Sequence, residues 1–250
     1  MPQPTTLDLA LFSAAVLGFR HGFDYDHVAA ISDITSVESS RTRAMKMGFV
    51  YVIGHASTVA VLGAVVILLQ RSLPAHLDHW AERAVGLTLV LLGLYVLGTL
   101  LRQKSAYVPK SRASILIGAF GWIAWQIRKL FSPDEDMTPY QPSESYGRNS
   151  IFLVGVIHGL GAETPSQLLL FLLAANLGGP ARGFLGLTVF LAGLLAMNMI
   201  MTASAVGIFG ASAAKPRLMR FVVALTATYS LIVGAIFLFG ASGSLPSLGG

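Results

Sequence analysis

The chain has 250 residues, 54% hydrophobic and 12% charged, with a net charge of +5 and no cysteine. A charged fraction about half that of an ordinary soluble domain excludes a water-soluble globule and points to an all-α polytopic membrane protein in one domain, 1–250. The basic residues stand in loops between apolar spans, which argues against nucleic-acid binding, and the absence of sulfur limits any metal site to nitrogen and oxygen ligands.

In chain order, spanning stretches are expected at 7–27, 47–70, 83–101, 150–176, 184–210 and 218–240. The first lacks a basic leader region and a small-residue cleavage site, so it reads as a retained span rather than a signal peptide. It closes on Arg20-His21-Gly22-Phe23-Asp24-Tyr25-Asp26-His27. Ionisable groups in or beside a span are costly, which makes this stretch the leading candidate site. In a continuous helix His21 shares a face with Asp24 and Tyr25 but not with Asp26 and His27. Convergence of His21, Asp26 and His27 therefore requires the helix to break, and Gly22 within a polar run supplies the place.

The second span carries Gly54-His55-Ala56-Ser57-Thr58. Alone, His55 reads as a buried interhelical hydrogen bond; after His21 and His27 it reads as a third ligand. Ser57 and Thr58 are free to bond their own helix backbone. His76, Asp78 and His79, in the 71–82 loop, fit an ordinary solvated loop. The stretch 102–149 reads as a linker containing one more apolar segment, 113–127, which either crosses the bilayer or lies in its interface with Trp122 and Trp125 at headgroup depth. The fourth span carries His158-Gly159-Leu160-Gly161-Ala162-Glu163-Thr164-Pro165-Ser166-Gln167, where Gly161 and Pro165 weaken the helix and Glu163 needs pairing, hydration or a metal. Asn198 and Thr202 in the fifth span read as packing polar residues.

Loop charge arbitrates the span count. If 113–127 spans, the loop cations divide evenly; if it does not, thirteen lie after spans one, three and five, and only Arg71, Arg83 and Arg182 lie opposite. The positive-inside bias favours the second arrangement: six spans, both termini outside and 102–149 cytoplasmic. Six spans divide into halves at 7–101 and 150–240. The halves begin alike, with Leu17-Gly18-Phe19-Arg20-His21-Gly22 matching Val154-Gly155-Val156-Ile157-His158-Gly159, and an acid follows each His by five positions, Asp26 and Glu163. Halves with an odd number of spans are oppositely oriented, so a 3+3 inverted pseudo-repeat is expected, with a site at the repeat interface.

Neutral imidazoles plus carboxylates without sulfur suit first-row divalent cations, especially nickel, cobalt, zinc, iron or manganese, better than calcium or magnesium. The ordered motifs resemble the nickel/cobalt permease family (NiCoT): His21-x4-Asp26-His27 resembles its H-x4-D-H signature, Ile53-Gly54-His55-Ala56-Ser57-Thr58-Val59 its second motif, and Leu160 to Gln167 its third, where Asp and Glu usually stand in place of Glu163 and Gln167. The usual eight-span member also has a span before the signature that this chain lacks.

The resemblance implies a secondary transporter of nickel or cobalt in a bacterial or archaeal plasma membrane, with the lipid bilayer and the divalent cation as partners and no cofactor beyond the transported ion. His21, Asp26, His27 and His55 are its implied metal-handling residues, and the wider candidate set adds Asp24, His158, Glu163 and Gln167. No G-x4-G-K-[ST] nucleotide motif is present, so an ion gradient, the membrane potential or a partner must drive transport. Uptake is the preferred direction over export. Two enzyme readings compete. One is an H-x4-D acyltransferase dyad of His21 and Asp26; the other is a metal-dependent hydrolase or oxygenase using the same ligands. The dyad leaves His27, His55, His158 and Glu163 unexplained, and a non-enzyme is expected.

Overall fold

The computed structural model describes residues 6–38, 40–69, 75–102, 147–161 and 178–245. They form α1 (Thr6–His21), α2 (Tyr25–Ser36), α3 (Arg41–Leu69), α4 (Ala75–Arg102), α5 (Arg148–Gly161), α6 (Pro180–Ser212), α7 (Pro216–Leu238) and a short 3-10 turn at Ser242–Ser244. Arg41–Leu69, His79–Leu101, Pro180–Ser212 and Pro216–Leu238 are each long and apolar enough to cross a membrane. Large apolar side chains such as Phe12, Leu68, Leu101 and Phe221 point outward, as expected where the surrounding solvent is hydrocarbon.

The starts of the two longest C-terminal helices are written in the sequence. Pro180 and Pro216 occupy the first turn, where a missing N–H costs nothing. Gly179 before Pro180 has φ 81°, a conformation that a side chain would strain.

The first expected span, 7–27, is corrected into two helices. α1 ends at His21, turn-type hydrogen bonds from Phe23 N to Arg20 O and Asp24 N to His21 O carry the chain round, and α2 begins at Tyr25. Asp24 holds the N-cap position of α2 with extended backbone but makes no side-chain cap bond, because its carboxylate turns back to His21. α2 then runs to Ser36, nine residues past the expected end. Asp33, Thr35 and Ser36 on it are all buried, and Thr35 and Ser36 bond carbonyls of their own helix. In the turn after α2, Arg43 Nε lies 2.6 Å from the buried Glu38 carboxylate. Burial holds the Glu38 carboxyl above the usual carboxylate range, and Arg43 offsets part of that rise. The 113–127 segment, the rest of the 102–149 linker between 103 and 146, and the fourth span beyond Gly161 lie outside the described residues.

Three helix pairs form the framework: α1 with α6, α3 with α5, and α4 with α7. Each meets at glycine. A Cβ on Gly18 would lie 2.0 Å from the Phe190 carbonyl oxygen of α6, one on Gly155 2.1 Å from that of Tyr51 in α3, and one on Gly86 2.3 Å from Leu238 N in α7. These backbones touch directly, the close approach that small residues allow between membrane helices. α3 meets α6 through side chains instead, Gly48 against Thr202 and Gly63 against Leu187. α2 is enclosed by α3, α4, α6 and α7, which buries its polar face inside the bundle.

Candidate metal centre

The break between α1 and α2 and the centre of α3 bring three imidazoles together. His55 is the middle residue of α3, with fourteen residues on either side, so it lies near mid-membrane depth. His21, the last residue of α1, and His27, in the first turn of α2, reach it from the other side. All three are buried, and one nitrogen from each ring lies within 4.8 Å of the other two.

Hydrogen-bond partners assign the tautomers. His27 Nδ1 is 2.8 Å from the His21 carbonyl oxygen, which only accepts, so Nδ1 carries the hydrogen and Nε2 keeps a lone pair. His21 Nδ1 is 2.8 Å from Asp24 Oδ2; it donates to the carboxylate and again leaves Nε2 bare. Both bare nitrogens face His55: His21 Nε2 is 3.3 Å from His55 Nε2, and His27 Nε2 is 3.3 Å from His55 Nδ1. A neutral imidazole has one N–H, so His55 satisfies one neighbour and turns a lone pair toward the other. A cation removes that conflict. Donor atoms around a four-coordinate ion with metal–nitrogen bonds of about 2.0–2.1 Å stand about 3.3–3.4 Å apart, which matches His21 Nε2 and His55 Nε2; His27 Nε2 makes its 3.3 Å contact with the other His55 nitrogen, and the three donors converge within 4.8 Å. An Nδ1–H tied to a carboxylate or carbonyl, with Nε2 turned to a metal, is the usual setting of a metal-ligating His.

The other candidate residues take different places. Asp24 lies at the edge of the triad with its side chain 39% exposed, a negative charge that reaches from the buried imidazoles to the surface. Asp26 is buried behind the triad, its Oδ2 3.6 Å from His158 Nδ1. His158, buried on α5, stands beside the triad rather than in it. Its Nε2 is 2.7 Å from Thr88 Oγ1, whose own hydrogen goes to Val85 O, so Nε2–H donates to Thr88. Its Nδ1 then accepts from Tyr51 O–H at 3.1 Å, and no lone pair is left over. Glu163 and Gln167 lie outside the described residues, as do the side chains of His76 and Asp78.

Tyr51, Thr88 and Phe190, which stacks on His21 with ring centroids 5.9 Å apart, are not evident as site residues from local sequence. Tyr51 alone had a signal: it precedes His55 by four residues, one helical turn. Ser57 and Thr58 bond carbonyls of their own helix, and Thr58 also reaches Val156 O on α5. Asn198 Nδ2 bonds Leu194 O and Thr202 bonds Asn198 O, while Asn198 Oδ1 is buried without a partner.

No protein-family model matches the chain, and no solved structure matches it. The chain is similar to a cobalt transport protein of Rhodococcus rhodochrous, 30% identical over 169 residues that make up 65% of this chain and 48% of that protein. It is also similar to a urease accessory protein of Bacillus sp. (strain TB-90), 25% identical over 90% of this chain and 88% of that one, and to a high-affinity nickel transport protein of Cupriavidus necator, 26% identical over 95% and 71%. The chain thus spans about half the length of the Rhodococcus relative and most of the other two. The resemblance to nickel and cobalt transporters carried by three short motifs extends over much of the chain, and these relatives are named as transporters or an accessory protein, none as an enzyme.

Proposed function

From this likeness to nickel and cobalt transporters, we propose that the chain is a membrane permease for a divalent transition-metal cation, with nickel and cobalt as its substrates and uptake as its direction. One observation carries the reading: His21 and His27 have their Nδ1 hydrogens tied to Asp24 and to a backbone carbonyl, and three imidazoles from separate helices bring one nitrogen each within 4.8 Å of one another inside the bundle. Imidazole nitrogen is well suited to nickel and cobalt, and the nearby Asp24 and Asp26 carboxylates offset the ion's charge. His21, His27 and His55 are the proposed ligands, with Asp24 and Asp26 supporting them and His158 as the contact from the second half. Glu163 and Gln167 are assigned to the same site from the sequence motif.

The 3+3 inverted repeat and six spans belong to the same proposal, with α1 and α2 counted as one broken span and α5 as the start of the fourth. Helix contacts support it. Gly18 meets the backbone of Phe190 as Gly155 meets that of Tyr51, and Gly22 meets Leu194 and Met197 as Gly159 meets His55 and Thr58. The paired glycines are 137 positions apart and their partners 139. The α3 to α6 contacts keep the second offset: Gly48 corresponds to Leu187 and Gly63 to Thr202, and Gly48 touches Thr202 as Gly63 touches Leu187. Gly86 and Gly234 of the third pair also exchange contacts, Gly86 meeting Leu238 N and Gly234 meeting Val90 N, each 148 positions from its counterpart. With three spans per half the two halves face opposite ways, and the cytoplasmic side is the one bearing Arg41, Arg43 and Lys46.

The membrane potential suffices as a driving force: two charges moved through 100 mV gain about 4.6 kcal/mol, roughly a thousandfold in concentration. The acyltransferase dyad loses ground on geometry, since the carboxylate on His21 Nδ1 belongs to Asp24 and not to Asp26. Uptake of radioactive nickel and cobalt into proteoliposomes with an imposed inside-negative potential tests the proposal, with zinc, manganese and iron as competitors. Potential-dependent accumulation of nickel or cobalt is expected; a purified protein that accumulates neither ion overturns the reading.

A further inference from the structure

α2 carries a second buried carboxylate that the triad does not use. Asp33 is fully buried and follows Asp26 by seven residues, on the same helix face and about 10 Å farther along the axis. Apolar residues surround it in sequence and space, among them Ala29, Ala30, Ile34 and Val37. Among the described residues neither carboxylate oxygen makes a short hydrogen bond; the polar group beside it is the equally buried Ser230 hydroxyl of α7, placed to donate to it.

No ion pair includes Asp33 among the described residues. Arg43, in the first turn of α3, is engaged by Glu38. An ionised carboxylate in such surroundings is costly unless a cation accompanies it. Among the described residues the acids along this passage thus have different surroundings: Asp26 lies beside the imidazoles, Glu38 has Arg43, and Asp33 has a hydroxyl from another helix.

We propose that Asp33 and Ser230 form a second cation site, all oxygen, lying between the histidine triad and the basic start of α3. Its place as a step in transport rests on the permease reading; its existence as a binding site does not. The chemistry of the two sites is complementary. Three imidazoles hold a late first-row ion firmly, whereas one carboxylate and one hydroxyl hold it loosely. A permeating ion must leave as readily as it arrives, and a weaker oxygen site after a nitrogen site provides that descent. The ligand class is therefore a divalent cation, nickel or cobalt arriving from the triad, with manganese accepted at this site because its ligands are oxygen.

Equilibrium binding of radioactive nickel to the full-length protein in detergent tests the site, alongside nickel flux in proteoliposomes. The parent protein is expected to bind two ions, one tightly and one weakly. Asp33→Asn, which keeps the side-chain volume and removes the charge, should lose the weak ion, retain the tight one within about twofold, and lower flux at least tenfold. Ser230→Ala should weaken the second ion severalfold. His55→Ala should lose the tight ion and keep the weak one. A parent protein that binds one ion, or an Asp33→Asn variant with the parent's binding curve, overturns the proposal. So does loss of both ions together in Asp33→Asn, which would make Asp33 a support of the triad. Two bound ions in a parent protein without flux would overturn the permease reading and leave the second site standing.

Discussion

His21 and His158 stand in matching sequence, each three residues after a glycine and just before another, yet their rings do opposite work. His21 has one nitrogen anchored by Asp24 and one turned to the triad; His158 has both nitrogens closed by hydroxyls, Tyr51 on one side and Thr88 on the other. The ring packed on each differs in the same sense. Phe190 covers His21 and offers no hydrogen bond, while Tyr51 lies across His158 and donates one. Where α3 presents His55 to the site, the corresponding contact position on α6 is Leu194. In the proposed repeat, the glycine contacts occur twice and, among the described residues, the imidazole triad once. A duplicated scaffold can hold one asymmetric site because side chains at the contact positions diverge while the glycines that set helix separation stay.

The largest effects should separate the two histidines. His55→Ala removes one of three nitrogens and should lower nickel flux by about 100-fold or more with the tight ion lost, whereas His158→Ala should retain tight binding and instead lower thermal stability, because Thr88 and Tyr51 lose their partner. Equal loss of tight binding in both variants would erase the distinction. A smaller effect is expected at Asp24. Asp24→Asn weakens the acceptor that holds His21 in its metal-ready tautomer, so nickel affinity should fall about 10- to 100-fold while the protein remains folded; unchanged affinity would mean that Asp24 does not orient the ring. The smallest change tests the closed side directly. Tyr51→Phe gives α3 the residue found at the matching place on α6 and strips His158 Nδ1 of its donor, a loss of about 1–3 kcal/mol in stability by denaturation, with nickel affinity changed no more than severalfold. A large gain in affinity would show that His158 becomes a ligand once released.

Much of the triad was legible because its parts lie in short motifs. His21 and His27 flank a glycine and two acids, and helical periodicity meant that they could converge only if the helix broke, for which Gly22 and the polar run offered the place. The length of α2 was not legible. Ser32, Asp33, Thr35 and Ser36 lower local hydropathy, and hydropathy counts composition without knowing that α4, α6 and α7 will cover those residues. The closure of His158 was equally hidden, since it depends on a tyrosine and a threonine from two other helices. The glycine contacts were half legible: Gly18 and Gly155 appeared in the matching hexapeptides, but their partners on α6 and α3 follow only from the packing.

Those glycine contacts have a mechanical consequence. Where backbone lies against backbone, as in α1 on α6 and α3 on α5, neither helix can slide without collision, so each pair behaves as one stiff ribbon. Between the ribbons the touching atoms are the side chains of Thr202 and Leu187, which turn about single bonds. The triad bridges that softer seam, with His21 on one ribbon and His55 on the other. In the proposed permease, rocking one ribbon against the other would change the His21–His55 distance and with it the grip on an ion.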